Sequence, residues 1–388
     1  MGLMNARAAH LSEVYPTLPF QPVTGEGVYL EDAQQRRVLD FYGGHAVAGL
    51  GYGHPRLTEA LLTQGRQLLF QSNAVTMRIR DEAADKLAAF APDGLDRVFF
   101  VNSGAEANEN ALRLALQTTG RRKIVAIEHG FHGRTAAAGA VTWGARDRWY
   151  GFPNTPMDVT FVPRNDTTAL TAAIDKETAG VIIEPVQGVA GAFDFSKPFM
   201  TAARAACDVS GALLILDEVQ TGIGRLGTPF GADYFDVSPD LITTAKSLGG
   251  GFPCGAVLMR DELTKDLGPG ALGTTFGGGP LACALIVAVL DTIEEDGLLT
   301  QVTEVSALIR QTCICGPITS VQGAGFLLGL KTAPRAATVR DALLERNILA
   351  GTSGDPHILR LLPALILQPS HVETLAQALE ELTDESFQ

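Results

Sequence analysis

Asp217 and Lys246 are the side chains whose placement suggests chemistry. Asp217 closes the apolar run 212–216, and Lys246 follows a second extended stretch, 240–245. Both runs have the length of buried parallel strands, and open α/β sheets place their chemistry beyond the carboxyl ends of such strands. A lysine there, with a paired acid, suggests a Schiff base to pyridoxal phosphate with the acid facing the pyridine nitrogen. Burial and nearby charge tune the amine. Once displaced by substrate, that amine can move a proton as general base and acid. A buried, ionised Asp217 keeps the ring nitrogen protonated and makes the ring an electron sink. Glu218 is expected to be structural, and Gln220 to reach the ring hydroxyl. The same stretch can also be read as a buried strand, a helix-capping acid and a solvent lysine.

Other strand ends add candidates. After the strand 97–101, Ser103 and Glu106 form a capping-box pattern. The free N–H groups of a helix start bind phosphate, so Ser103, Gly104 and Ala105 are expected to hold the cofactor phosphate, although such boxes also stabilise ordinary helices. After the strand 123–127, Phe131 is suited to stack on a flat ring and Arg134 to pair with a carboxylate. Packing and surface roles are the alternatives. Arg360 stands alone in the apolar stretch 357–363. A buried arginine needs an anion, either a structural acid or a substrate carboxylate. Two carboxylate receivers suit amino acids and 2-oxoacids. The glycine-rich loop 43–55, with His45, Tyr52 and His54, reads as a site entrance or as a surface loop.

These residues need a scaffold of alternating strands and helices. Strands are expected at 97–101, 123–127, 158–163, 180–183, 212–216 and 240–245, separated by helical patterns. This alternation signals an α/β fold with a mostly parallel sheet. Residues 254–259 are expected to close the sheet at an edge. A hairpin is expected over 26–40, and a loose arm with a short helix over 1–20. From about residue 294, short strands and helices suggest a smaller second domain. The division expected is 1–50 for the arm and part of the small domain, 51–285 for the large cofactor-binding domain and 286–388 for the remainder.

Bulk properties narrow the function. The 388 residues carry a net charge of −13, which argues against nucleic acid and anionic membranes as partners. No apolar run approaches the length of a membrane span, and the first residues lack the apolar core of a signal peptide. Five cysteines, an odd number, point to a reducing cytoplasm rather than a disulfide scaffold. Cys313 and Cys315 have no second pair to complete a zinc site, and no metal is expected.

The combination of NSGAEANE at 102–109, FHGRT at 131–135, EPVQG at 184–188, LDEVQTGIGRLG at 216–227, TTAKSLGGGFP at 243–253, TTFGGGP at 274–280 and LRLLP at 359–363 resembles the class III, ornithine-type aminotransferases. These are a branch of the fold-type I pyridoxal-phosphate enzymes. The likeness runs along nearly the whole chain and is strongest to the enzymes acting on N-acetylornithine and on carrier-bound lysine. It implies a seven-stranded, mostly parallel sheet with a smaller α+β domain. It also implies that Lys246 holds the cofactor, Asp217 contacts the ring nitrogen, Phe131 stacks on the ring, Gln220 lies near the ring oxygen, and Gly104 and Ala105 bind phosphate.

By the same resemblance, Thr275 reaches the phosphate of a neighbouring subunit, which implies an obligate homodimer with shared sites. Arg134 takes the α-carboxylate of the amino donor and Arg360 that of glutamate. The implied reaction is ping-pong transfer of the ω-amino group of N-acetylornithine to 2-oxoglutarate. Carrier-protein-bound lysine, with a small acidic carrier as partner, free ornithine, 4-aminobutyrate and other ω-amines are the alternative donors. An aminomutase and a non-catalytic binding protein are more distant readings. The chain departs from the family pattern at Ala105, where threonine is frequent, at Val189, where a glutamate shields the second arginine, and at Gly279, where asparagine is common.

Overall fold

The apolar runs form strands that are buried on both faces, as a parallel sheet covered by helices requires. In the computed structural model, which describes residues 10–382, seven strands lie in the order Arg97–Val101, Gly255–Met259, Leu241–Thr244, Leu213–Asp217, Thr178–Ile183, Lys123–Ile127 and Asp158–Val162. Side chains alternate between two cores with the two-residue period of a strand. Leu214 and Leu216 join Val181 and Ile183 on one face, while Ile215 joins Ile182 and Leu241 on the other. The helix Gly104–Thr119 covers the second face with Ala107, Ala111, Leu112, Leu114 and Ala115. The helix Lys197–Ser210 starts where Ser196 accepts a hydrogen bond from the Phe199 N–H, and it stops at Gly211. The chain then enters the strand that ends in Asp217.

The sheet corrects one expectation. Gly255–Met259 is not an edge strand. It runs antiparallel between Leu241–Thr244 and Arg97–Val101, and the latter forms the edge. The turn after Lys246 reverses the chain beside the strand it has just left, and the outer neighbour comes from far earlier in the sequence. Such a pairing leaves no local signal.

A smaller α+β part completes the fold. Ile318–Ala324, Leu327–Thr332, Ile358–Leu361 and Gly351–Thr352 form an antiparallel sheet, with the helices Leu298–Thr312, Ala336–Glu345 and Pro369–Glu380 nearby in the chain. The expected hairpin pairs Tyr29–Asp32 with Arg37–Asp40. Its turn is closed by Asp32 Oδ1, which accepts from the Gln34 and Arg36 N–H groups. Ile348–Leu349 adds to this hairpin in parallel. Residues 1–9 of the expected arm lie outside the described residues, and residues 10–20 contain no helix. Among the described residues, no helix is long and apolar enough to cross a membrane.

Candidate active site

Asp217 and Lys246 meet because their strands are parallel neighbours, with Asp217 in register with Thr243. Both line a cavity of about 460 Å³ together with Ser103, Gly104, Ala105, Phe131, Arg134 and Gln220. Lys246 opens a 3₁₀ turn, Lys246–Gly249, and has φ +47°. This left-handed conformation is strained for a residue with a side chain and persists only where surrounding contacts enforce it. Burial pushes the Lys246 amine down to about 8, against the upward pull of Asp217 and Glu184.

Asp217 is 3 % exposed and accepts three hydrogen bonds. Its Oδ2 accepts from Asn108 Nδ2 at 2.7 Å and from His132 Nδ1 at 2.7 Å, and its Oδ1 accepts from the Val219 N–H at 3.1 Å. The Thr243 hydroxyl donates to Asn108 Oδ1 at 2.6 Å, which turns the amide donors toward Asp217 and the His132 carbonyl. Burial disfavours charge on His132, but the hydrogen bond and charge of Asp217 outweigh it and raise the imidazole above its usual value. Asn108, His132 and Thr243 were not singled out from the sequence. The available signal was a polar residue at a buried helix position and a histidine within FHGRT.

Ser103 caps the helix Gly104–Thr119 by accepting from the Glu106 N–H. Glu106 Oε2 reaches back to the Asn102 N–H at 2.6 Å, one residue earlier than a standard box. A Cβ on Gly104 would lie 2.8 Å from the Val219 methyls, so the close approach this glycine permits is to Val219. Ser103, Gly104 and Ala105, which begin this helix, line the cavity, and the free N–H groups of a helix start favour an anion.

At the other end, the Phe131 N–H donates to Glu184 Oε1 at 2.9 Å. Burial raises the Glu184 carboxyl above the ordinary carboxylate range. Gln220 Oε1 is buried without a hydrogen-bond partner among the described residues. Arg134 is exposed, with its guanidinium 5.6 Å from the Phe131 ring centre and 5.3 Å from that of Trp149. Glu218 accepts from the Thr221 hydroxyl and from the N–H groups of Gly231 and Ala232. It caps the helix Gly231–Phe235, and burial pushes it up to about 7.

Two expected site residues stand apart from this cavity. Thr275 is exposed. Arg360 is 5 % exposed and donates to three neutral acceptors, the Thr352 carbonyl at 2.8 Å, the Gly188 carbonyl at 3.1 Å and the Tyr42 hydroxyl at 3.0 Å. Among the described residues no carboxylate lies within ion-pair distance of it, and burial lowers its pKa.

A doubly wound sheet with a buried acid and a lysine at adjoining strand ends, beside a helix start, defines a pyridoxal-phosphate-dependent transferase of fold type I. The chain belongs to the class III aminotransferases, since the family model described as Aminotransferase class-III matches residues 11–383. The acetylornithine aminotransferase of Streptomyces coelicolor is 44% identical over 377 residues, covering 96% of this chain and 92% of that protein. The solved acetylornithine aminotransferase from Elizabethkingia anophelis superposes with a TM-score of 0.86 at 30% identity, covering 97% of this chain and 96% of the other. The ornithine aminotransferase from Toxoplasma gondii gives a TM-score of 0.90 at 27% identity, with 98% and 92% covered.

The residues fit the cofactor. The buried Gln220 carbonyl oxygen has no donor among the described residues, and a ring hydroxyl would supply one. The buried Asp217 carboxylate provides the anion that a protonated ring nitrogen needs.

Proposed function

We propose that the protein moves the ω-amino group of N-acetylornithine, or a similar N-acylated diamino acid, to 2-oxoglutarate, giving a semialdehyde and glutamate. The observation that carries this reading is the pairing of an amine tuned to about 8 with two guanidiniums free of acidic partners, Arg134 and Arg360. The name of the Streptomyces coelicolor relative supports the donor. Bound pyridoxal phosphate supplies an aldehyde that captures the substrate amine and a ring that accepts the electron pair left when a proton departs.

The chain does the rest. Lys246 Nζ is the base that would take a proton from the substrate carbon bearing the amino group and give it back. Its lowered pKa keeps the neutral base accessible near neutral pH. Asp217 would hold the positive ring nitrogen, and Asn108, His132 and the Val219 N–H keep that carboxylate in place. Phe131 would cover one ring face, and Gln220 would engage the ring hydroxyl. Ser103, Gly104 and Ala105 would cradle the phosphate. Arg134 receives the donor's α-carboxylate and Arg360 that of the 2-oxoacid.

Thr275 completes the phosphate site of a neighbouring copy in a homodimer. Phe276 beside it is 64% exposed and packs on Phe70 with ring centres 5.1 Å apart. Leu69 and Leu281 extend this apolar surface, the type of patch a partner covers. We assign the cofactor-binding unit to residues 51–285, with 1–50 and 286–388 supplying the arm and smaller unit. The helix Pro280–Glu295 runs through that boundary. The five free cysteines suit a cytoplasmic location.

A second reading, transfer from lysine on a small acidic carrier, is favoured by one feature. Arg148 and Arg164 line a second cavity, which Phe131 joins to the first, where Arg134 stands. None of these three arginines forms an ion pair among the described residues. Asp147 and Asp355 line the second cavity as well, so an acidic partner would be received by the guanidiniums among them.

The deciding experiment mixes holoenzyme with single amines and follows loss of the bound cofactor's visible absorption. Acetylornithine should react faster than ornithine, 4-aminobutyrate or a lysine-bearing acidic peptide. If the peptide alone reacts, the carrier reading replaces the first.

A further inference from the structure

Arg360 is a buried cation whose only side-chain hydrogen-bond partner among the described residues is the Tyr42 hydroxyl. The Tyr42 oxygen accepts from Arg360 and lies 2.7 Å from His45 Nδ1. In a neutral His45 with Nδ1 unprotonated, that nitrogen takes the hydroxyl proton. Partial burial and the charges of Arg360 and Lys246 lower the His45 pKa, in keeping with a neutral ring.

The segment that presents these groups is unusual. Gly43, Gly44, His45 and Ala46 all have positive φ, between 53° and 65°. They form a left-handed turn, which L-residues adopt only under external constraint. Two of the constraints are visible. The Ser247 hydroxyl, next to Lys246, donates to the Ala46 carbonyl at 2.8 Å. The Tyr42 ring lies on Gly351, where a Cβ would come within 1.9 Å of it, and Gly351 is the residue paired with Arg360 across the sheet. Val47, which ends the turn, lines the cavity that holds Lys246.

We propose that Tyr42 is a neutral gate on Arg360. Its hydroxyl, seconded by His45, occupies a guanidinium edge that the carboxylate of the 2-oxoacid takes by displacing it. This rests on Arg360 being the 2-oxoacid receptor, as set out above. A carboxylate in Tyr42's place would hold the arginine by charge and compete strongly with substrate. A phenol gives way to an incoming carboxylate, because charge-assisted hydrogen bonds are about twice as strong as neutral ones. Val189 adds no anion to restore such competition.

The test is calorimetric binding of glutarate, a dicarboxylate that cannot react, to holoenzyme and to Tyr42→Phe, Arg360→Ala and His45→Ala variants. Tyr42→Phe should tighten glutarate binding by about ten- to a hundredfold, the range expected for removing one competing hydrogen bond to a charged group. Its KM for 2-oxoglutarate should fall in parallel while kcat and the KM for the amine stay within about twofold. His45→Ala, which leaves the ring in place, should tighten binding less, and it carries the test if Tyr42→Phe does not fold. Glutarate binding that is unchanged or weaker in the folded variant overturns the gate. Arg360→Ala separates the two levels. If it binds glutarate like wild type, the receptor assignment falls and the gate with it. If it loses binding while Tyr42→Phe matches wild type, the gate alone falls.

Discussion

Replacing Lys246 with methionine in cofactor-stripped protein should stabilise the fold at neutral pH. The structure sets both the size and the pH window. Burial lowers the amine from its ordinary 10.5 to about 8, which corresponds to about 3 kcal/mol favouring the neutral form. Below pH 8 the lysine is charged in both folded and unfolded chains, so the folded protein bears the whole penalty. Between pH 8 and 10.5 the unfolded chain binds more protons than the folded one, and stability therefore rises with pH. Above 10.5 the penalty has gone. Methionine fills similar space without a charge, and titrating groups remote from Lys246 are common to both proteins and cancel in their difference. Urea unfolding of the two stripped proteins should show Lys246→Met more stable by about 1–3 kcal/mol at pH 7, with the gap closing by pH 10.5. A variant less stable at pH 7, or a gap that does not change with pH, would refute the account of how the amine is tuned.

Three further outcomes follow from the same geometry. Asp217→Asn would aim an amide at the donors of Asn108, His132 and Val219. It should lower kcat about a hundredfold or more and cost about 1–3 kcal/mol of stability, measured by single-turnover kinetics and urea unfolding. Val189→Glu should shift the ratio of kcat/KM for glutamate to that for the ω-amine, because a carboxylate there would compete for Arg360. An unchanged ratio in the two half-reactions would remove that argument. Phe276→Glu should produce monomers that bind cofactor weakly, and light scattering that still shows a dimer would contradict the proposed interface.

The chemistry-bearing strand ends were legible because strand length, the final polar residue and the following glycines are local features. Asp217, Lys246, Ser103 and Phe131 all stand where a single stretch of sequence ends or begins. The support for Asp217 was not legible, because Asn108, His132 and Thr243 arrive on three separate elements and meet only after the sheet is ordered. The same reason explains the misplaced strand Gly255–Met259, whose outer neighbour Arg97–Val101 is distant in the chain. At 43–55 the glycines signalled conformational freedom. Nothing local signalled that His45 and Ala46, which are not glycines, would share the left-handed geometry, because contacts from Ser247 and Gly351 impose it.

The parallel pairing of Leu39 with Ile348 bears on how the molecule is made. During synthesis the hairpin 29–40 leaves the ribosome with one edge bare, and its natural neighbour, Ile348–Leu349, follows far later in the chain. Until then Phe41 lacks both its bond to the Leu349 carbonyl and the one its own carbonyl accepts from Leu362. An unpaired strand edge invites pairing with other chains, and contacts this far apart in sequence form slowly. Nascent chains cut short before residue 348 should therefore be sticky, and chaperones that shield exposed strands should engage this hairpin until residues 348–349 emerge.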